Sequence, residues 1–207
     1  MNYINSHIKI ENNKVWLNSE LIFEIEENIS FGKFTKAAYK HLGMKYMKFF
    51  KMDEMSKLGL LATEFILREH FNIKENKAEE IGQIMANKNA SLLTDTKYFE
   101  TIRSKENYFP SPALFVYTLP NTVMGEIAIK NNFKGENIFF IQKEFTANQY
   151  FHHAEYLLNR NSQKAFFCAW NEANSNSYKL QMYLVEQKKT NLAIEHSEKN
   201  IIEIIKK

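Results

Sequence analysis

Two amphipathic helical patterns, separated by short apolar runs, constrain the fold of this chain most strongly. The first follows Asp53, a good helix N-cap, and the second begins at Thr146. Apolar residues recur with i, i+3, i+4 spacing at Met55, Leu58, Leu61, Ala62, Phe65 and Ile66, and again at Ala147, Tyr150, Phe151, Ala154, Leu157 and Leu158. Strands are predicted at 3–10, 78–88, 137–142, 164–170 and 178–187. The order β, α, β, α, α, β, α, β, β predicts a three-layer α/β fold with a five-stranded, mostly parallel sheet and an antiparallel edge pair.

All three prolines lie within residues 110–120 and punctuate the chain between the two helical patterns. Because a proline keeps the preceding residue out of the α region, the segment SPALFVYTLPN is predicted to be extended. Asn121 is predicted to cap the helix that follows. Gly125 lies inside that helix, where glycine costs ~1 kcal/mol relative to alanine, and it predicts close packing against another backbone or a ligand.

Composition excludes several classes of protein. The 207 residues are 44% hydrophobic and 25% charged, which is typical of a globular domain and not of a disordered chain. No stretch has the ~18 apolar residues that a membrane span needs, and the polar start does not resemble a secretory signal. A single cysteine, Cys168, permits no intrachain disulfide, so a cytoplasmic location is expected. The net charge of +3 comes from lysines balanced by acids, with few arginines, and no nucleic-acid partner is expected.

A series of motifs resembles the N-terminal half of the β-ketoacyl synthases. The family pattern S-P-x-x-F/V…N-x-x-x-G-x-I-A-I, with a glycine before the next strand, is matched in order at Ser111, Pro112, Asn121, Gly125, Ile127, Ala128, Ile129 and Gly135. The helix in FFKMDEMSKLGLLATEFIL is similar to the family helix after an F-x-x-M-D/S signature. The resemblance implies half of the thiolase fold over 1–187, with 188–207 as a tail that ends in a helix. It also suggests the ketosynthase-like proteins of bacterial fatty-acid, aryl-polyene and flexirubin-type pathways.

The sequence departs from the chemistry that the resemblance implies. Ketosynthases load an acyl chain on a cysteine at the end of the strand after Gly135, and counting without gaps puts that position at Glu144. The neighbouring positions hold no cysteine either, and Cys168 lies in mid-strand, where a buried, inert thiol is expected. The family's two catalytic histidines come from its C-terminal half, and this sequence ends where that half should begin. The resemblance therefore implies a protein that is catalytically silent on its own.

The helical pattern at 146–160 has a polar face that includes His152 and Glu155. By resemblance the corresponding family helix lies in an apolar central layer, so this chain is predicted to fold as a free-standing half. The polar side is then wet or faces a polar partner, and the tail 190–207 is a candidate cover. His152 and Glu155 supply two metal ligands at most, and no metal site or cofactor is predicted. The histidines at 7, 41, 70 and 196 are isolated in sequence and predict no special role.

Three functional hypotheses remain open. The first is a ketosynthase-like accessory protein of fatty-acid or polyketide-type biosynthesis, which forms a homodimer or pairs with a full-length ketosynthase. By resemblance its interface is the strand Asn137, Ile138, Phe139, Phe140, Ile141 and Gln142. The second is an enzyme that acts on acyl thioesters with Glu144 and His152 or His153. The third is a module that binds an acyl carrier protein or an apolar ligand, with scattered surface lysines facing the acidic carrier.

Overall fold

In a computed structural model the chain forms one mixed β-sheet with helices on both faces. The structure describes residues 1–26, 29–160 and 162–206. The strands in these ranges are β1 (Tyr3–Glu11), β2 (Lys14–Leu17), β3 (Glu20–Glu24), β4 (Ile81–Asn87), β5 (Asn137–Ile141), β6 (Ala165–Ala173), β7 (Tyr178–Glu186) and β8 (Ile194–Glu195). Their order across the sheet is β3–β2–β1–β7–β6–β4–β5, and β8 pairs with β1.

Seven α-helices lie within the same ranges. They are α1 (Phe31–His41), α2 (Glu54–Glu69), α3 (Leu92–Glu100), α4 (Pro112–Phe115), α5 (Thr122–Asn131), α6 (Ala147–Asn159) and α7 (Glu198–Lys206). The helices α1, α2 and α5 share one apolar core with the sheet, and α6 and α7 share a second core with its opposite face. The predicted three-layer α/β/α architecture is therefore confirmed.

Strand alternation divides the side chains between the two cores. In β6, Phe167 faces the core of α2, while Phe166 and Cys168 face the core of α6. Both predicted amphipathic helices are confirmed. The predicted face of α2 is fully buried, and that of α6 is buried except at Phe151 and Leu157, which are half-buried. Asp53 caps α2 as predicted, because its Oδ1 accepts a hydrogen bond of 2.9 Å from the N–H of Ser56.

The sheet has more strands and fewer parallel pairs than the sequence predicts. Only β4–β5 and β4–β6 are parallel in the described part of the chain, and the remaining ladders are antiparallel. The additional strands β2 and β3 arise from two tight turns. Asn12 and Asn13 have φ of 48° and 61°, and Asn18 and Ser19 have φ of 51° and 71°. Asparagine tolerates this left-handed backbone, so the chain reverses twice within 24 residues and adds a three-stranded meander.

The proline-rich segment begins with a helix, and the prediction of an extended segment is wrong there. Ser111 is extended, with φ −95° and ψ 105°, as the residue before a proline is expected to be. Pro112 then occupies the first turn of α4, where its missing N–H removes no helical hydrogen bond. The Ser111 hydroxyl accepts a hydrogen bond of 3.3 Å from the N–H of Leu114 and caps this helix.

Gly125 does not mark the close packing that its position predicts. A Cβ built at Gly125 meets no atom within 4 Å, whereas one at Gly59 of α2 would lie 2.5 Å from Val123 Cγ2 of α5. The close contact between the two helices is therefore made by Gly59. Gly135 is also sterically required, since a Cβ there would lie 2.4 Å from the carbonyl oxygen of Ile81.

The tail is packed on the rest of the chain. β8 extends the sheet beside β1, and α7 buries Ile201 and Ile204 in the core shared with α6. Within residues 1–26, 29–160 and 162–206, no helix has both the length and the apolar character that crossing a membrane requires.

Two glycine substitutions test the packing of α2 on α5. We expect Gly125→Ala to stabilise the fold by up to ~1 kcal/mol, because alanine favours a helix and nothing obstructs its methyl group. Gly59→Ala is expected to destabilise it by about 1–3 kcal/mol, because Val123 must move. Urea unfolding midpoints measure both effects, and equal shifts would contradict this packing.

Urea unfolding of the unmodified chain tests whether it folds as a free-standing unit. A single cooperative transition is expected, whereas a broad one would contradict a free-standing fold.

Candidate functional site

The turn from β5 to α6 has the strand–turn–helix form that the resemblance implies at the nucleophile position. The N–H of Gln142 donates to the carbonyl oxygen of Asn87 at the end of β4, over 2.9 Å. The side-chain amide of Gln142 donates to the hydroxyl of Thr146, over 3.1 Å, and Thr146 is the N-cap residue of α6. Gln142 thereby joins the ends of two parallel strands to the start of the helix.

Glu144 lies at the exposed apex of this turn, next to Lys143. The turn is anchored by Phe145, whose ring centroid lies 4.9 Å from that of Tyr150 and 6.3 Å from that of Trp170. An exposed carboxylate can exchange a proton or attract a cation. It is a far weaker acyl acceptor than the thiolate that the family uses.

The two candidate histidines lie on α6 but are not joined to Glu144. His153 Nδ1 lies 2.9 Å from a backbone carbonyl oxygen one turn earlier, and its ring packs against Phe140 at 5.1 Å. His152 is exposed, and its Nε2 lies 3.9 Å from Glu198 of α7. Among the described residues, no hydrogen bond or ion pair connects either histidine to Glu144.

Cys168 lies in the middle of β6, and the prediction of a buried thiol is confirmed. Its exposed fraction is 0%, and burial raises the pKa of the thiol to about 12. The thiol therefore stays protonated near neutral pH, and it lies away from the β5–α6 turn. It does not replace the missing nucleophile.

The sequence did not reveal the pairing of Glu155 with His196. The imidazole of His196 is fully buried, and its Nδ1 lies 2.7 Å from Glu155 Oε1. Glu155 Oε2 accepts hydrogen bonds from the side chains of Asn2, at 3.0 Å, and Asn159, at 3.1 Å. Glu155 is thus committed to these partners and does not form a two-ligand patch with His152. Only the tertiary fold brings these distant residues together, so no local sequence pattern could have predicted the contact.

Among the described strands, β5 is the last of the sheet, and its outer edge is not paired with any of them. A continuous apolar run such as NIFFI is typical of a strand that is buried on both faces, but β5 is not buried in this way. Asn137 and Ile141 are exposed, and the three residues between them are half-buried. The strand NIFFI contains no charge and no proline, the features with which many proteins block association at an exposed edge.

A 3₁₀ turn before α2, Met47–Lys51, presents a second candidate surface. With three residues per turn, its side chains stack in rows. Met47 and Phe50 lie in one such row, and their exposed fractions are 76% and 42%. The lysines at 45, 48 and 51 are also exposed. These five exposed residues, 45, 47, 48, 50 and 51, are referred to below as the basic ridge.

The basic ridge belongs to a segment of one charge sign. Residues 28–52 contain six lysines and no acid, so the lysines are grouped here and not scattered as the sequence analysis predicted. The other three, at 33, 36 and 40, lie on the exposed side of α1. Lys48 is held by the buried carboxylate of Glu126, at 2.9 Å. Within the described residues, no ion pair engages Lys45 or Lys51.

No metal centre is visible in the described ranges, where no three His, Cys, Asp or Glu side chains are grouped to hold an ion. No protein-family model and no curated protein matches the sequence significantly.

Solved structures do match the chain. The ishigamide ketosynthase/chain length factor has a TM-score of 0.63 and 15% identity, over 90% of this chain and 62% of that one. A ketosynthase in complex with its chain length factor from Xenorhabdus doucetiae has a TM-score of 0.59 and 12% identity, over 91% and 80%. A type II polyketide synthase acyl-carrier protein in complex with its hexaketide-bound ketosynthase has a TM-score of 0.59 and 12% identity. The match covers 90% of this chain and 62% of that one.

These matches show that the chain has the thiolase-like fold of the ketosynthases and chain length factors, as the resemblance implied. The chain spans 62% of the length of two of these three structures. Identities of 12–15% establish a shared architecture, and an activity must be argued from the site.

Thiol labelling tests the burial of Cys168. We expect native protein at pH 8 to react with a thiol reagent at least about a hundredfold more slowly than protein in urea, because the thiol is buried and its pKa is about 12. Absorbance of the released thiolate from a disulfide reagent follows the reaction. Equal rates in the two states would contradict this burial.

Proposed function

We propose that this chain is a ketosynthase-like accessory protein of acyl-chain biosynthesis, which acts by pairing with a full-length ketosynthase and does not condense acyl chains itself. The observation that carries this proposal is the β5–α6 turn. The turn has the strand–turn–helix form of a nucleophile site but presents Glu144, while the one thiol of the chain is buried elsewhere.

The open edge of β5 supports the pairing. In a parallel ladder, alternate residues direct their backbone groups to opposite sides of the strand. The carbonyl of Glu136 accepts from Gln83 of β4, and the N–H of Gln142 donates to Asn87 beyond the other end of β5. The backbone N–H and C=O groups of the even-numbered residues of β5 therefore point toward β4. The residues whose backbone N–H and C=O groups face outward are Asn137, Phe139 and Ile141.

A partner strand on this edge would satisfy these outward groups and cover the half-buried phenylalanines of β5. Two of the matched structures contain a ketosynthase together with another protein, a chain length factor in one and an acyl-carrier protein in the other. These are partners of those proteins, and they support a ketosynthase as the partner to test first. A second copy of this chain is the alternative occupant of the edge.

A charge at the edge tests the pairing. Ile141 is 61% exposed at the end of β5, and we expect Ile141→Lys to weaken a complex with a ketosynthase encoded in the same gene neighbourhood by about tenfold or more. Leu21→Lys is the matched control, because Leu21 is 47% exposed on β3, at the opposite edge of the sheet. Sedimentation measures the affinity and also reports any homodimer. Equal effects of the two variants would contradict pairing through β5.

Catalysis is tested in the same preparations. The accessory proposal predicts no turnover of acyl thioesters by the purified chain. Turnover that is lost in Glu144→Gln would contradict it and would favour the enzyme hypothesis with Glu144 and His152 or His153.

The basic ridge favours a second role, contact with an acidic acyl carrier protein. Lys45 and Lys51 are exposed without an ion pair among the described residues, and Met47 and Phe50 offer apolar contact beside them. Such a surface suits a partner that combines negative charge with an apolar group. Lys48 contributes charge as well, although Glu126 holds its ammonium group in place.

Reversing the charge of the ridge tests this role. We expect Lys45→Glu with Lys51→Glu to weaken carrier binding by about tenfold, because each reversal replaces an attraction of roughly 0.2–1 kcal/mol by a repulsion of similar size. Lys105→Glu with Lys134→Glu changes the net charge equally at exposed sites elsewhere and serves as the control. Titration calorimetry at two salt concentrations gives the affinities. Equal weakening by both pairs would show a general charge effect and contradict binding at the ridge.

A further inference from the structure

The last part of the chain crosses α6 as a strap, defined here as residues 194–206. Its strand β8 pairs with β1 at only two positions, Ile4↔Ile194 and Tyr3↔Glu195. Its helix α7 buries Ile201 and Ile204 in the core under α6, and Ile205 packs half-buried against the same core. The apolar attachment of the strap is therefore small, and its remaining contacts have a large influence on whether it stays docked.

The joint between β8 and α7 is polar and buried. His196 carries the only buried polar side chain among the described residues of the strap. Its backbone N–H donates to the carbonyl of Asn2 over 3.0 Å, and its imidazole meets Glu155 at 2.7 Å. The side-chain amide of Asn2 donates to the other oxygen of the same carboxylate. Glu155 of α6 thus joins the strap and the start of the chain in one closed set of hydrogen bonds.

The second ring nitrogen of His196, Nε2, is buried and makes no hydrogen bond to any of the described residues. The ring lies 5.2 Å from that of Phe151 and 5.8 Å from that of Tyr183, centroid to centroid. A neutral imidazole has one N–H, and here that proton is used at Nδ1 to donate to Glu155. Protonation would place a second N–H and a positive charge at Nε2, a buried atom that makes no hydrogen bond to the described residues.

Glu155 on α6 and Tyr183 on β7 contact His196 directly, and Cys168 on β6 interacts with Tyr183. Burial raises the pKa values of Tyr183 on β7 and of Cys168 on β6, so both are neutral. Burial alone would raise the pKa of Glu155 on α6, but hydrogen bonds from His196 and Asn2 outweigh it and hold this pKa below its usual value. Burial also lowers the pKa of His196, although the charge of Glu155 opposes this. The strap itself also carries the charged side chains of Glu195, Glu198, Lys199 and Glu203.

We propose that the strap is a pH-sensitive cover of α6, which is closed while His196 is neutral and is released when His196 is protonated. Release would uncover the polar side of α6 and the apolar surface beneath Ile201 and Ile204.

The direction of the pH dependence follows from the burial of the imidazole. The docked His196 has a pKa below its ordinary value of about 6.5, so the released strap binds a proton more readily. Docking is therefore complete above about pH 6.5. It weakens as the pH falls from there, by up to about tenfold in the docking equilibrium per pH unit, and the loss levels off below the pKa of the docked imidazole. Glu155 keeps its charge between pH 5.5 and 7.5, because its lowered pKa lies beneath this window.

Hydrogen exchange on the full chain tests the proposal. After correction for the intrinsic exchange rate, we expect amides of α7 to lose protection by about tenfold or less per pH unit between pH 7.5 and 5.5, while amides of β4 and β6 keep theirs. In His196→Gln the side chain stays neutral, and the protection of α7 is expected to be independent of pH. His152→Gln is the matched control, because it removes an exposed histidine beside Glu198 and should leave the pH dependence intact.

Three results would overturn the proposal. They are constant protection of α7 in the unmodified chain, a pH dependence that persists in His196→Gln, and a pH dependence that disappears in His152→Gln. Should His196→Gln release the strap at both pH values, an NMR titration of the imidazole in the unmodified chain decides the question. A pKa clearly below about 6.5 supports the proposal, and a pKa at or above that value overturns it.

Discussion

The burial of β4 is the constraint on which the rest of the structure depends. All seven of its residues are buried, and Met85 faces the core of α2 while Ile84 faces the core of α6. Such a strand must lie inside a sheet, and both of its partners, β5 and β6, are parallel to it. Parallel partners require long crossovers, which place α5 on one face and α6 on the other. The β5–α6 turn and the open edge of β5 both result from this arrangement.

The parts of the fold that the sequence predicts well are those with strong local patterns. The apolar faces of α2 and α6 repeat over several turns, so their burial follows from helical geometry alone. The sheet was predicted less well, because its direction changes depend on single residues such as Asn13 and Ser19 with left-handed backbones. Gly59 and Gly125 both lie inside a helix, and the sequence does not distinguish their packing. The packing of α2 against α5 determines that Gly59, and not Gly125, makes the close contact.

The candidate site divides in the same way. The assignment of Glu144 to the family's nucleophile position stays a prediction from the resemblance, and the structure places Glu144 at an exposed turn. The contact between Glu155 and His196 could not be predicted, because it depends on where the tail crosses α6. The basic ridge was not predicted from the sequence, since the 3₁₀ geometry is what separates Met47 and Phe50 from the buried Phe49. Single candidate residues could therefore be named from the sequence, whereas the contacts and surfaces that they form together depend on the fold.

The proposal of an accessory protein rests on three features of this ketosynthase-like fold: the exposed edge of β5, the turn without a thiolate and the covered α6. Amide hydrogen exchange of β5, measured by NMR before and after a full-length ketosynthase is added, tests this account most directly. The account predicts that the outward amides of Phe139 and Ile141 become protected by about tenfold or more, while those of Ile138 and Phe140, already bonded to β4, change little. A complex in which Phe139 and Ile141 exchange as fast as in the free chain would contradict the account.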